Sequence, residues 1–165
     1  MIILVMGVSG SGKTTIAQML ADSLHFRFQD ADDFHSHENI AKMRHGIPLD
    51  DADRIPWLQA LHDAIALWLH NHDNVVLACS ALKASYRQML VFDTRIKQVY
   101  LKGSFELIQK RLQQRQNHFM TAKLLKSQFD SLQEPCDAVI VDVSQSPQAI
   151  VNEIRESLAI VFNSL

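Results

Sequence analysis

The chain has 165 residues, 47% of them hydrophobic and 21% charged, enough for one packed core and too few for two large lobes. These proportions exclude a disordered or fibrous chain. A net charge of −2 supplies no field for a polyanion, so no nucleic-acid partner is expected, although a local basic patch can still hold a small anion.

The first element is the uninterrupted apolar run Ile2 to Met6, the pattern of a strand buried on both faces. It leads straight into Gly7-Val8-Ser9-Gly10-Ser11-Gly12-Lys13-Thr14, a G-x-x-x-x-G-K-T turn, and then into an amphipathic helix over Lys13 to Leu24. Backbone without Cβ atoms can wrap a polyphosphate closely, which explains the three glycines. The amides of such a turn point at the anion. Lys13 is placed to reach the β and γ phosphates, and the Thr14 hydroxyl to coordinate the magnesium ion that bridges them. No basic segment precedes the apolar run, and no window approaches ~18 uninterrupted apolar residues. No membrane partner is expected, and the expected location is the cytoplasm.

Further along, Phe26 to Gln29, Asn74 to Cys79, Ile96 to Leu101 and Ala138 to Val143 read as strands. They alternate with helical patterns at Ile40 to Arg44, Arg54 to His72, Leu82 to Phe92, Phe105 to Arg115 and Pro147 to Phe162. The alternation predicts an α/β fold: a five-stranded parallel sheet with helices on both faces, wound right-handed, in the P-loop NTPase class. Trp57, Leu58, Leu61, Ile65, Trp68 and Leu69 share one helical face and read as core. Ser104 and Ser146 stand at N-cap positions, and Pro147 suits a first helical position.

Two connections are long and polar, Asp30 to Asp53 and Gln116 to Pro135. In a phosphate-transfer fold they are expected to close over acceptor and nucleotide, as an acceptor-binding excursion over about 31–72 and a lid over about 116–135 of a single domain. The second strand ends in Asp30-Ala31-Asp32-Asp33-Phe34-His35, which puts carboxylates at the carboxyl edge of the sheet beside the glycine turn. One could orient an acceptor hydroxyl and take its proton while a neighbour holds magnesium. The same acids could instead cap the next helix, and strand alternation does not say which of them points inward.

Cys79 and Cys136 are far apart and read as reduced thiols. Among eight histidines the close pairs are His35-x-His37 and His70-x-His72, neither with zinc-site spacing, so no zinc is expected.

One set of segments is more specific than the glycine turn. It comprises GVSGSGKT, the D-x-D with His35, then Asn39, Lys42 and Met43, GIPLDDADRIPWL from Gly46 to Leu58, CSALKASYR from Cys79 to Arg87, HFM, and LLKSQF ending near EP. Across Gly7 to about Pro135 the chain resembles the gluconate kinases, small relatives of shikimate and nucleoside monophosphate kinases. The resemblance implies transfer of the ATP γ-phosphate to the 6-hydroxyl of D-gluconate with Mg²⁺, giving 6-phosphogluconate and ADP, and a homodimer. It also implies Asp32 as acceptor-orienting base and Asp30 in the magnesium shell.

A sugar acid requires a fixed cation and polar groups for its hydroxyls. Arg54, Lys83 and Arg87 are the cations inside the matching segments. Lys83 and Arg87 are four apart and would project together from one helix face, unless they merely solvate a helix end. Arg54 could alternatively pair with Asp50, Asp51 or Asp53. Ser80 and His35 are candidates for hydroxyl contacts. Arg111 and Arg115, also four apart, are candidate lid cations for the transferred phosphoryl group, or simply a basic last turn matching the helix dipole. His118 and Gln128 lie in matching segments without a derivable role.

Three positions depart from the family pattern: Ala31 where glycine is expected, placing a methyl near the acceptor, and Ser36 and Thr121 where proline is expected. A shikimate-type or nucleoside monophosphate kinase is the alternative enzyme, although the C-S-A-L-K segment argues against shikimate. A nucleotide switch is disfavoured because strand three ends in Cys79-Ser80 rather than aspartate and no N-K-x-D occurs.

Overall fold

Strands that are apolar on both faces must be covered on both faces, and the chain solves this with one five-stranded parallel sheet between two helical layers. The computed structural model describes residues 1–115 and 122–162. The sheet order is β2-β3-β1-β4-β5, from β1 (Ile2–Met6), β2 (Arg27–Asp30), β3 (Val75–Ala78), β4 (Ile96–Lys102) and β5 (Val139–Asp142). The helices are α1 (Lys13–Leu24), α2 (His37–Arg44), α3 (Asp51–His70), α4 (Ala84–Leu90), α5 (Phe105–Gln113), α6 (Ala122–Ser131) and α7 (Pro147–Phe162), with a 3-10 turn at Ala31–Phe34.

The two-residue period of β1 divides the core. Ile3 and Val5 pack with α1, α5 and α7 through Ile16, Leu20, Ile108 and Ile154. Ile2, Leu4 and Met6 pack on the other face against Trp57, Leu58, Leu61 and Ile65 of α3 and against Tyr86 and Leu90 of α4. All six residues of the expected α3 stripe are buried.

Helix starts differ from expectation where a cap decides them. α3 begins at Asp51, not Arg54, because Asp50 Oδ1 accepts from the Asp53 amide at 2.7 Å and Asp53 Oδ2 accepts from the Asp50 amide at 3.1 Å, a reciprocal capping box. α2 begins at His37, with Ser36 Oγ accepting from the Asn39 amide at 3.2 Å. α4 is shorter than expected and leaves Lys83 at its N-cap. Ser104 and Ser146 do cap, accepting from the amides of Leu107 and Ala149. The second polar excursion contains a helix not anticipated, α6, which buries Leu124 and Leu125 and sets Phe129 edge-on to Phe105 at 5.3 Å.

Register sets up the site. Ala78 of β3 is level with Val5 on one side and Asp30 on the other, so the carboxyl tip of β2 stands beside the start of the glycine turn, two strand spacings or roughly 10 Å away. Among the described residues, no helix is long and apolar enough to cross a membrane. Leu61 is fully buried between α3 and the sheet, so Leu61→Ala is expected to cost about 2–5 kcal/mol, read as a lower urea midpoint with unchanged slope.

Candidate active site

Gly7 and Gly10 adopt φ of 154° and 82°. A Cβ on Gly7 would lie 2.7 Å from Ser11 Oγ, and one on Gly10 would lie 2.8 Å from the Leu112 side chain. Neither position admits a larger residue without moving the loop. Gly12 precedes α1 in a left-handed conformation and provides no side-chain cap, so the first amides of α1 are left for an anion, on which the helix dipole also acts. Gly7, Val8 and Ser11 form the back of the loop, whereas Ser9, Gly10, Gly12, Lys13 and Thr14 line a cavity of about 430 Å³.

Asp30, Asp32, His35, Arg54, Ser80 and Arg115 line the same cavity. The glycine turn and the acidic tip of β2 therefore face one space, with β3 between their strands. Lys13 Nζ donates to Val8 O at 2.9 Å. Burial lowers the Lys13 pKa, opposed by the neighbouring Asp32 carboxylate. Partial desolvation at the cavity wall raises Asp32 from its ordinary value even though its side chain is 74% exposed, opposed by Lys13, and burial raises Asp30, opposed by the Asp32 amide that donates to it at 2.9 Å. Cys79 also lines the cavity, but burial pushes its thiol up to about 12, which removes it as a nucleophile at neutral pH.

Thr14 Oγ1 donates to Asp30 Oδ2 at 3.4 Å. These are two hard oxygen donors at the phosphate end of the cavity, and magnesium bound to a polyphosphate takes only one or two protein oxygens beside its waters and phosphates. The pair fits such an ion. No cluster of three or more His, Cys, Asp or Glu ligands occurs among the described residues.

Three expected site cations lie elsewhere. Arg87 is 7% exposed and donates to the carbonyls of Ala81 at 2.9 Å, Leu82 at 3.0 Å and Gln133 at 2.7 Å. It ties the loop after β3 to the segment after α6. Lys83, at the N-cap, does not share a helix face with it. Lys83 Nζ pairs with Asp51 Oδ1 at 2.8 Å and borders a separate surface groove with Lys123 and Lys126. Arg111 donates to Val143 O, so it braces α5 on the end of β5. Arg54 keeps its place at the cavity, donating to Leu49 O at 2.6 Å, while its expected alternative partners are otherwise engaged: Asp53 with Lys42 at 2.9 Å, and Asp51 with Lys83 and the Tyr86 hydroxyl.

The Ala31 methyl is not near the acceptor, contrary to expectation. Ala31 is fully buried in the α3 core cluster, and its carbonyl accepts from Trp57 Nε1 at 2.7 Å. Ser36 caps α2. His118, Thr121 and the H-F-M segment lie outside the described residues. Two side chains gain a place that sequence reasoning did not assign. Gln128 Oε1 accepts from the Ser9 amide at 2.6 Å, joining α6 to the phosphate loop; the signal missed was the Leu125–Phe129–Leu132 spacing of a helix. Trp57, read only as core, also stacks on His35 with ring centroids 4.3 Å apart and planes 13° apart.

The shikimate kinase family model matches residues 9–159, and relatives along the whole chain narrow that kinship. A probable gluconokinase of Mus musculus is 44% identical over 95% of this chain and 97% of its own length. The thermoresistant gluconokinase of Escherichia coli strain K12 is 43% identical over 91% of this chain and 89% of its own length. The chain belongs to the gluconokinase family. A crystal structure of a gluconokinase from Sinorhizobium meliloti 1021 shares its fold at a TM-score of 0.85 and 39% identity, covering 99% of this chain and 97% of that one. It is thus a kinase of the P-loop fold, with the five-stranded sheet expected from the sequence.

Two outcomes test this geometry. Arg87→Met should leave the buried carbonyls of Ala81 and Leu82 and the part-buried carbonyl of Gln133 without their donor and lower the unfolding free energy by about 3 kcal/mol, while KM for the acceptor changes less than twofold. His35, lowered from 6.5 to about 4 chiefly by burial and then by Arg54, binds its proton more readily unfolded than folded. Its stabilising contribution is complete above pH 6.5 and is lost as pH falls toward 4, by up to ~3 kcal/mol. Urea titrations at pH 7.5 and 4.5 should show that part of the slope vanish in His35→Phe.

Proposed function

We propose that the chain transfers the γ-phosphoryl group of ATP to the 6-hydroxyl of D-gluconate, yielding 6-phospho-D-gluconate and ADP. The observation that carries this reading is the single cavity shared by the phosphate loop and Asp32, with Arg54 on its wall. Among the described residues, the Arg54 guanidinium has no carboxylate within ion-pair distance. A cation left open at the edge of a polar cavity suits an acceptor that brings its own carboxylate, as a sugar acid does and a neutral sugar does not.

In this mechanism Asp32 accepts the proton of the attacking hydroxyl, and its pKa, raised from the ordinary value by partial desolvation at the cavity wall, makes it a better base than a fully hydrated aspartate. The loop amides and Lys13 hold the β and γ phosphates, with Lys13 exchanging the Val8 carbonyl for phosphate oxygen. Arg115 offsets charge on the transferred group. Arg54 holds the sugar-acid carboxylate, while Ser80 and His35 contact hydroxyls. Thr14 and Asp30 would hold Mg²⁺, which would supply charge neutralisation to the polyphosphate.

We further read residues 1–165 as one catalytic domain, with an acceptor-binding excursion over about 31–72 and a lid over about 116–135, working as a cytoplasmic homodimer.

A coupled ADP-release assay with gluconate, idonate, shikimate and the four nucleoside monophosphates should show turnover with gluconate. Phosphorylation of shikimate or AMP with gluconate inert would overturn the reading. Asp32→Asn should lower kcat by a factor of 10² or more at little change in KM. Arg54→Gln should raise KM for gluconate at least tenfold while KM for ATP stays within twofold.

A further inference from the structure

His35 lines the cavity beside the acidic tip of β2, and its chemistry depends on which ring nitrogen carries the proton. Donor arithmetic on Asn39 decides this. Asn39 is 5% exposed, on the first turn of α2. Its Nδ2 lies 2.9 Å from Asp53 O and 3.3 Å from His35 Nδ1. Asp53 O can only accept, so the Asn39 amide must present its nitrogen there, because the flipped amide would set two acceptors face to face. The second hydrogen of the same nitrogen then points at His35 Nδ1, which must offer a lone pair. The ring proton is left on Nε2.

His35 Nε2 lies 3.9 Å from Asp32 Oδ1, with the His35 side chain 4% exposed and that of Asp32 74% exposed. This interval is too long for a direct hydrogen bond, yet one hydroxyl oxygen can occupy it, accepting from Nε2–H and donating to the carboxylate. The stack on Trp57, whose own Nε1 is fixed to Ala31 O, sets the plane of the ring, and Asn39 sets its proton.

We propose that Asn39 is a positioning residue for the acceptor: by holding His35 in the Nε2–H form, it creates a donor that, together with Asp32, grips one substrate hydroxyl from two sides. The inference rests on the gluconate reading for the identity of the acceptor, but not for the tautomer. With the proton on Nδ1 instead, Nε2 would turn a lone pair toward the carboxylate, and no single hydroxyl could satisfy both. The groups acting on the ring are Asp32 and Asp30 from the tip of β2, Arg54 and the Trp57 ring from α3, and Asn39 from α2. Asp53, whose carbonyl Asn39 engages, is itself paired through its carboxylate with Lys42 at 2.9 Å.

The test uses histidine-¹⁵N-labelled full-length protein and long-range ¹H–¹⁵N correlation. Wild type should show His35 as the Nε2–H tautomer between pH 6 and 8, and a wild-type Nδ1–H tautomer overturns the proposal without any variant. Asn39→Asp puts an acceptor opposite Nδ1. It should convert His35 to the Nδ1–H or doubly protonated form and shift the acid limb of kcat/KM to higher pH. Asn39→Ala, which leaves Nδ1 without a fixed partner, should show mixed tautomers.

In both variants kcat/KM for the acceptor should fall at least tenfold with KM for ATP within twofold. A merely structural role would move stability and both KM values but not the tautomer. A changed tautomer with unaltered acceptor kinetics, or altered kinetics with an unchanged tautomer, overturns the proposal. Kinetics are run with whichever acceptor of the panel wild type turns over, so failure with gluconate would count against the substrate reading while the tautomer and its kinetic consequence are still decided.

Discussion

The constraint on which the site depends is the insertion of β3 between β1 and β2. Because Val5, Ala78 and Asp30 stand level across three strands, the phosphate loop and the acidic tip end at the same height. They are separated by roughly 10 Å, two interstrand spacings. Directly adjacent strands would bring Asp30 and Asp32 against the loop amides and leave no room for an acceptor. A wider gap would break the line from hydroxyl to phosphorus. The hydrogen-bonded register of a parallel sheet thus fixes the distance on which in-line transfer depends.

Charge within the cavity is arranged by burial as much as by pairing. Lys13 and Asp32 each shift in the direction that disfavours their charged form, and each is restored in part by the other. In the proposed reaction an arriving polyphosphate favours the charged lysine and Asp32 takes up a hydroxyl proton, so desolvation at the cavity wall would serve both ends. The remaining cations are sorted by what they face. Arg87 and Arg111 bind backbone carbonyls and hold loops in place, Lys83 and Lys42 bind carboxylates at the rim, and Arg54 and Arg115 are left toward the ligand space.

Three side chains tie this scaffold together around the cavity. Trp57 anchors the 3-10 turn through Ala31 O and supports the His35 ring. Asn39 links α2, α3 and that ring through one amide group. Gln128 joins α6 to the Ser9 amide of the phosphate loop. The Trp57 and Gln128 contacts cross between elements distant in the chain, and Asn39 joins neighbouring ones, so the 3-10 turn, α2, α3, α6 and the phosphate loop are tied together around the cavity.

Local chemistry alone determined the strand-loop-helix phosphate cradle, the five strands and their parallel class, the apolar stripe of α3 and the carboxylates at the tip of β2. Each is written in consecutive residues or in a short period, and backbone sterics and burial act at that range. The starts of α2 and α3 were also written locally, in Ser36 and in the Asp50–Asp53 box, but their acids and serines were read as loop polarity. The fate of the arginines and lysines was decided only by tertiary structure, because a cation's role depends on whether a carbonyl, a carboxylate or open space meets it. Arg87 and Arg54 both sit in matching motifs, and nothing in their neighbours along the chain distinguishes a brace from a binding group. The same holds for Ala31, whose methyl faces core rather than acceptor, and for the proton on His35, which is set by a carbonyl 18 residues further along the chain.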